Sequence, residues 1–221
     1  MLAALIGPYF VDWSAYRAVF ETEAGRVLGE NVRVLGKAEA TLLPTPSLTF
    51  TDVVVGPAGG ESKMKVERFD IDIELTPLLK GEVRVQKMAL EKPVLRIVVG
   101  EDGRLDWLGE RPAEGRLAPE SVVLEHVEMQ GGQVTVLDRR VGRGWTANDV
   151  SVLLEAGALV GPYRLEANFR QGTEPYSLRA ATGKVEADGS IRLKLALNPV
   201  NQPLSLIADG KLGRDGGFPS Y

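Results

Sequence analysis

From Phe69 to Val99 the chain alternates apolar and charged residues: Phe69, Ile71, Ile73 and Leu75, then Val83 and Val85, then Leu95, Ile97 and Val99, with Asp70, Asp72, Glu74, Glu82, Arg84 and Arg96 between them. Successive side chains of a strand point to opposite faces, so this spacing predicts strands with one apolar and one wetted face. The pattern returns at Tyr163, Leu165, Ala167 and Phe169, and again at Ile191, Leu193, Leu195 and Leu197. Each such strand needs something over its apolar face. What supplies that cover decides what the chain can do.

Only one segment reads as a helix. Over 12–28, Asp12 caps the free N–H groups of the first turn, Val11 and Tyr16 stand where a hydrophobic staple would, and Gly29 supplies a stop. Tyr16, Val19, Phe20, Ala24, Val27 and Leu28 form one apolar stripe, as expected of a helix that plugs an open end of a sheet. From Asn31 onward the signals are those of strands. Val32 and Val34 flank Arg33, and Ala38, Ala40 and Leu42 follow after a bend at Gly36. Pro44 and Pro46 break the ladder because proline cannot donate to it. Strand signals then resume through Leu48, Phe50 and Val53 to Val55, up to a plain turn at 56–60, which lacks the lysine and following helix of a phosphate loop. Between Val85 and Met88 the apolar parity slips by one, which predicts a bulge near Gln86 and Lys87 and a bend there.

The pair Asp102-Gly103 marks a tight turn, with Leu105 and Trp107 closing the first half. The polar segment 111–119, with two prolines, is read as a linker between a first β subdomain (12–110) and a second (120–221). In the second half Val127, Gly131-Gly132, Val134, Val136 and Asp138 precede a loop running through Arg139, Arg140 and Arg143 to Trp145, with strands resuming at Val150. Asp188-Gly189 signals a hairpin between Val185 and Ile191, and the glycine-rich end carries no stop signal, so the chain is expected to continue past Tyr221.

The chemistry classes are narrow. There is no cysteine, which removes thiolate catalysis, disulfides and thiolate metal sites. His126 is the only histidine, and beside Glu125 and Glu128 it reads as an exposed strand position rather than a base. Asp70, Asp72 and Glu74 share a strand face and point outward in a row, the geometry of a solvated face and not of converging calcium ligands. Arg139, Arg140 and Arg143 are candidates for contact with a phosphate headgroup or a protein partner, since guanidinium binds phosphate in a bidentate manner; a solvated hairpin tip is the plainer alternative. With a net charge of -4 and both signs interspersed, no nucleic-acid footprint exists. No enzyme, metal or cofactor is expected.

Residues 1–11 are apolar but only about half the roughly 20 needed to span a bilayer, and they lack a signal peptide's basic start and cleavage site. The end of a membrane anchor, a short interfacial anchor and a leader packed on the domain all remain open, and Tyr9, Phe10 and Trp13 suit an interfacial belt.

The order of motifs resembles the N-terminal part of the AsmA-like family. An apolar start leads into Asp12-Trp13-Ser14 and Tyr16-Arg17, then Gly25-Arg26-Val27-Leu28-Gly29, Val32-Arg33-Val34-Leu35-Gly36 and Leu43-Pro44-Thr45-Pro46-Ser47-Leu48. There follow Asp52-Val53, Leu78-Leu79, Gly81-Glu82-Val83, Leu90-Glu91-Lys92-Pro93 and Asp102-Gly103-Arg104-Leu105-Asp106-Trp107, with Gly132-Gln133-Val134 and Gly161-Pro162-Tyr163 in the second half. Asp106 stands where the family more often has asparagine. The resemblance implies a protein fixed to the bacterial inner membrane by its N-terminus, facing the periplasm, and related to β-groove proteins that carry phospholipid toward the outer membrane.

Read together, these features predict a mainly β fold: a long, strongly twisted and curled antiparallel sheet, a groove or open half-barrel, with one N-terminal amphipathic helix. One helix cannot cover the apolar faces of so many strands. A sheet folded onto itself would make a sandwich and a closed-core scaffold that docks assembly proteins. A sheet that only curls would leave an apolar trough for phospholipid chains, lined by Phe69, Ile71, Ile73, Val83, Val85, Leu95 and Ile97. In that second case Ile71→Asp would empty the trough and leave the sheet folded.

Overall fold

The structure, a computed structural model, describes residues 14–41, 46–57, 59–74, 83–106, 122–157, 161–184, 186 and 190–212. The expected helix is present as α1 (Ser14–Leu28). The capping pair Val11 and Asp12 lies outside the described residues, as do the side chains of Tyr16, Val19 and Val27. Twelve strands follow: β1 (Val32–Val34), β2 (Ala38–Thr41), β3 (Ser47–Val55), β4 (Met64–Ile73), β5 (Val83–Glu91), β6 (Val94–Val99), β7 (Val122–Asp138), β8 (Arg143–Ala156), β9 (Tyr163–Gln171), β10 (Glu174–Thr182), β11 (Ile191–Pro199) and β12 (Leu206–Leu212). All twelve belong to one sheet.

The mainly β, curled sheet with one N-terminal helix is as expected, but its order is mixed and not antiparallel throughout. Strand β7 runs parallel to both β5 and β6. The reason lies in β5 and β6, which form one strand kinked at Lys92-Pro93. Both keep a single register against β4, Arg68 opposite Glu91 and Lys65 opposite Val94. Both also keep a single register against β7, from Val83 opposite Val122 to Val99 opposite Asp138. The linker at 111–119 and Trp107 lie outside the described residues, and the strands before and after that segment pair directly.

A crease crosses the sheet at this kink. Asp52, Lys92, Gly131 and Asp149 have φ values of 54°, 47°, 63° and 52°, and they occupy neighbouring rungs of β3, the β5–β6 junction, β7 and β8. A left-handed residue within a strand acts as a bulge that bends it and shifts side-chain parity. Parity changes there: the apolar residues pass from Phe50 to Val53 in β3 and from Phe69 to Val66 in β4 while all four pack with one core cluster. Gly132 fits closely at the kink, since a Cβ there would lie 3.2 Å from the Pro93 ring and 3.3 Å from its carbonyl oxygen, a tight contact. The bulge expected near Gln86 is also present, Asp72 pairing with Lys87 and Ile73 with Val85.

Two further sequence expectations meet differences. Strand β7 runs unbroken through Gly131-Gly132, and β8 begins at Arg143, so the hairpin loop is only 139–142 and Trp145 is a strand residue. Trp145 pairs with Val136, which extends the ladder into the segment read as loop. The Asp188-Gly189 turn and Val185 lie outside the described residues; on either side of that turn the Glu186 N–H donates to the Ser190 carbonyl at 2.8 Å.

Helix α1 closes the start of the sheet. The Phe20 ring stacks on Phe50 at 4.0 Å between centroids and lies 5.6 Å from Phe69. Phe20 and Ala24 pack on the core of Val32, Val34, Phe50, Val53, Val55, Val66, Ile71, Val85 and Leu90, whereas Leu28, expected in the same stripe, is 38% exposed. The helix also satisfies the free edge of the sheet. Glu21 Oε1 accepts the Val34 N–H and Arg17 donates to the Gly36 carbonyl, each at 2.7 Å. An open edge strand is a template for unwanted pairing, and these two contacts blunt it.

Candidate functional site

The registers of successive strand pairs place apolar residues opposite one another across the whole sheet. One row runs Ala38, Phe50, Phe69, Leu90, Met129, Val152, Ala167, Leu178, Leu197, Leu206. The neighbouring row runs Ala40, Leu48, Ile71, Met88, Val127, Leu154, Leu165, Ala180, Leu195, Ala208. Directly opposed residues share a face, so ten strands contribute to two adjacent apolar rows without a charged interruption. The other face is charged, with the pairs Glu166–Arg179, Glu155 opposite Arg164 and Lys194 opposite Asp209.

Cover on the apolar face falls away along the sheet. Under α1, Phe50 is 1% exposed, Ile71 8% and Leu90 9%. Among the described residues the buried apolar set reaches Ala167 in β9 and includes nothing from β10, β11 or β12. Leu178, Leu195 and Leu197 are only half-buried, and Leu206 at the last strand is 56% exposed. All the described strands lie in one sheet, so no second sheet covers this face among them. It is an apolar surface closed at the helix end and open toward β12.

The residues expected to line a trough are thereby divided. Phe69, Ile71 and Val85 sit in or against the helix-covered core, Phe69 touching Phe20. Leu95 and Ile97 lie beyond the crease, opposite Val134 and Val136. The side chains of Ile73 and Val83 lie outside the described residues. The more open part of the face is formed instead by β9 to β12, through residues such as Leu165, Leu178, Leu195 and Leu197, whose alternation was visible but whose lack of cover was not. Ile71→Asp would therefore place a carboxylate in the core and break the fold instead of testing the trough.

The wetted face holds the remaining candidates. Arg68 binds Asp70 through Nε and Nη2 at 2.7 and 2.9 Å, and the Thr49 hydroxyl donates to the same carboxylate at 2.5 Å. Burial pushes the Asp70 carboxyl up, but the hydrogen bonds from Arg68 and Thr49 together with the charge of Arg68 outweigh it and hold it below the usual range. Asp72 pairs with Lys87 across the ladder, and Glu74 accepts from Gln86 at 2.9 Å. His126 is about half exposed, 3.9 Å from Glu155. The three arginines do different things. Arg140 binds Asp138 at 2.7 Å, a hydrogen bond that lowers the Asp138 pKa; Arg143 opens β8; Arg139 lines a shallow recess with Lys63, Arg96 and Arg104. That recess also holds Glu61, Asp102 and Asp106, Glu61 pairing with Arg96, so it has no strong preference for an anion. Asp106 Oδ1 accepts the Val98 N–H at 2.8 Å, a role the amide oxygen of an asparagine would fill equally.

Among the described residues no group of carboxylates or histidine has metal-binding geometry, and no helix is long and apolar enough to cross a membrane. Residues 1–11, with their candidate anchor, lie outside the described residues. In comparisons with known proteins, the sequence profile of the AsmA family matches residues 1–192. Neither a curated protein nor a solved structure shows a match.

Proposed function

The chain belongs to the AsmA family, and from that premise we propose that it holds the acyl chains of phospholipid on the open apolar face of β9 to β12 and contributes in this way to outer-membrane assembly. The observation that carries the reading is the pair of uninterrupted apolar rows whose burial falls away beyond Ala167 in β9. An apolar surface of this extent, rimmed by polar residues, is an interaction surface. Its dimensions suit lipid. Four strands at roughly 4.8 Å spacing give a floor about 14 Å wide, and the seven residues from Tyr163 to Phe169 span roughly 20 Å along β9. A bilayer leaflet contributes about half of a hydrocarbon core ~30 Å thick, or roughly 15 Å, so an acyl chain fits lengthwise.

The N-terminus is the proposed attachment to the bacterial inner membrane, with the sheet in the periplasm. The apolar, aromatic composition of residues 1–13 supports this assignment. Binding here needs no catalytic group, since transfer of an acyl chain between apolar environments is driven by the surface it keeps from water. The test is to incubate the protein with phospholipid vesicles, re-isolate it and quantify bound lipid phosphorus, for wild type and for Leu195→Asp. Leu195 is half-buried on the open face, so the aspartate can reach water in the lipid-free state but not beneath a chain. Lipid on the wild type and loss on the folded variant supports the reading. A folded wild type that carries none removes it, and leaves the closed-core scaffold.

A further inference from the structure

The open face is graded along its strands. Leu178 and Ala180 of β10 are aliphatic; two residues toward the start of that strand stands Tyr176, and two further stands Glu174, all on one face by alternation. Tyr176 pairs with Phe169, the rings stacked at 5.4 Å and 11°, and Pro199 lies opposite on the other side. Glu174 pairs with Gln171 at the outer end. Aliphatic floor, aromatic belt and polar rim thus succeed one another over about 20 Å, the order met in passing from the middle of a bilayer to its headgroups.

The rim carries an unanswered negative group. Oε2 of Glu174 is shielded from solvent and has no hydrogen-bond donor, one of only two such side-chain atoms among the described residues. Two arginines of the same hairpin lie on the opposite face and are paired there, Arg170 with Asp149 at 3.4 Å and Arg179 with Glu166 at 3.5 Å. A buried acceptor without a donor is costly and marks a place for one to arrive. A carboxylate beside two aromatic rings recognises an ammonium group, through a charge-assisted hydrogen bond to the oxygen and through cation–π attraction to the ring faces.

We propose that the rim formed by Glu174, Tyr176 and Phe169 is a headgroup site for amine-bearing phospholipids, which orients the lipid with its ammonium at the β9–β10 turn and its chains along β9 to β11. This rests on the acyl-chain reading of the same face and adds to it a headgroup class and a direction. A purely anionic headgroup meets a carboxylate at this position and is disfavoured.

The experiment is competition. The protein is incubated with vesicles holding equal amounts of dioleoyl phosphatidylethanolamine and dioleoyl phosphatidylglycerol and re-isolated, and the bound ratio is read by mass spectrometry. Wild type enriches the ethanolamine lipid by roughly three- to tenfold, the effect of one charge-assisted contact at a partly exposed site. Glu174→Gln, nearly the same shape, abolishes the enrichment while total bound lipid is kept, and Tyr176→Leu reduces it. Bound lipid in an equal ratio for wild type and Glu174→Gln overturns the headgroup site and leaves the acyl-chain trough standing. No bound lipid in either protein overturns both.

Discussion

Leu90 and Leu178 lie in the same row of the same sheet, yet the account gives them different surroundings. Leu90 pairs with Phe69 and Met129, is 9% exposed and belongs to the core beneath α1. Leu178 pairs with Ala167 and Leu197 and is half-buried on the open face. Truncating a buried leucine to alanine loses the transfer free energy of the removed atoms and leaves a cavity, together about 2–5 kcal/mol. At Leu178 only part of the transfer term applies, and an open surface leaves no closed cavity, so the loss is about 1 kcal/mol. For a chain of this size each kcal/mol moves the midpoint by roughly 2–4 °C, so Leu90→Ala lowers Tm by about 4–20 °C and Leu178→Ala by about 2–4 °C. Equilibrium denaturation of the lipid-free protein gives the two free energies directly. Equal losses at the two positions would mean that Leu178 is covered as Leu90 is, and the open trough would be refuted.

Gly36→Ala destabilises the start of the sheet, because a Cβ there would meet the Thr51 carbonyl oxygen at 2.7 Å and Asp52 Oδ2 at 2.9 Å; an expected loss of about 1–3 kcal/mol, typical of overpacking, is measured by denaturant titration. Asp70 gives a pH signature. Its folded pKa lies below the ordinary value of 3.8, so its contribution is complete above the unfolded pKa and is lost as pH falls through the folded one. Between about pH 5 and 3 the wild type therefore loses stability faster than Asp70→Asn, and parallel curves would contradict the pairing with Arg68 and Thr49.

How much of this was visible in the sequence follows from which contacts are local. Period-two alternation marked the strands around Ile71, Leu165 and Leu195, since the face a residue takes depends only on its neighbours in the chain. The parity slip at Gln86 showed in the same way. The parallel pairing of β7 with β5 and β6 did not, because it joins segments 39 positions apart in numbering and no local signal fixes their order. Lys92 and Asp149 take left-handed conformations usually associated with glycine, so the crease left a trace only at Gly131. The position of α1 was also hidden. The stripe of Phe20 and Ala24 predicted a plug but not that it would lie over Phe50 and Phe69, and so the lining expected at Phe69, Ile71 and Val85 belongs to the covered end. In the sequence Glu174 is one carboxylate among many; its significance comes from the lack of a donor to Oε2, which only the packed structure reveals.

Face-specific photo-crosslinking in the cell envelope distinguishes a lipid-bearing face from a bare one. A photoreactive amino acid is placed singly at Leu178 and Leu195 on the apolar face and at Arg179 and Lys194 on the wetted face, adjacent positions that differ only in direction. Phospholipid adducts are expected from Leu178 and Leu195 and none from Arg179 and Lys194. Adducts from both faces alike, or from neither, would contradict a lipid-bearing apolar face.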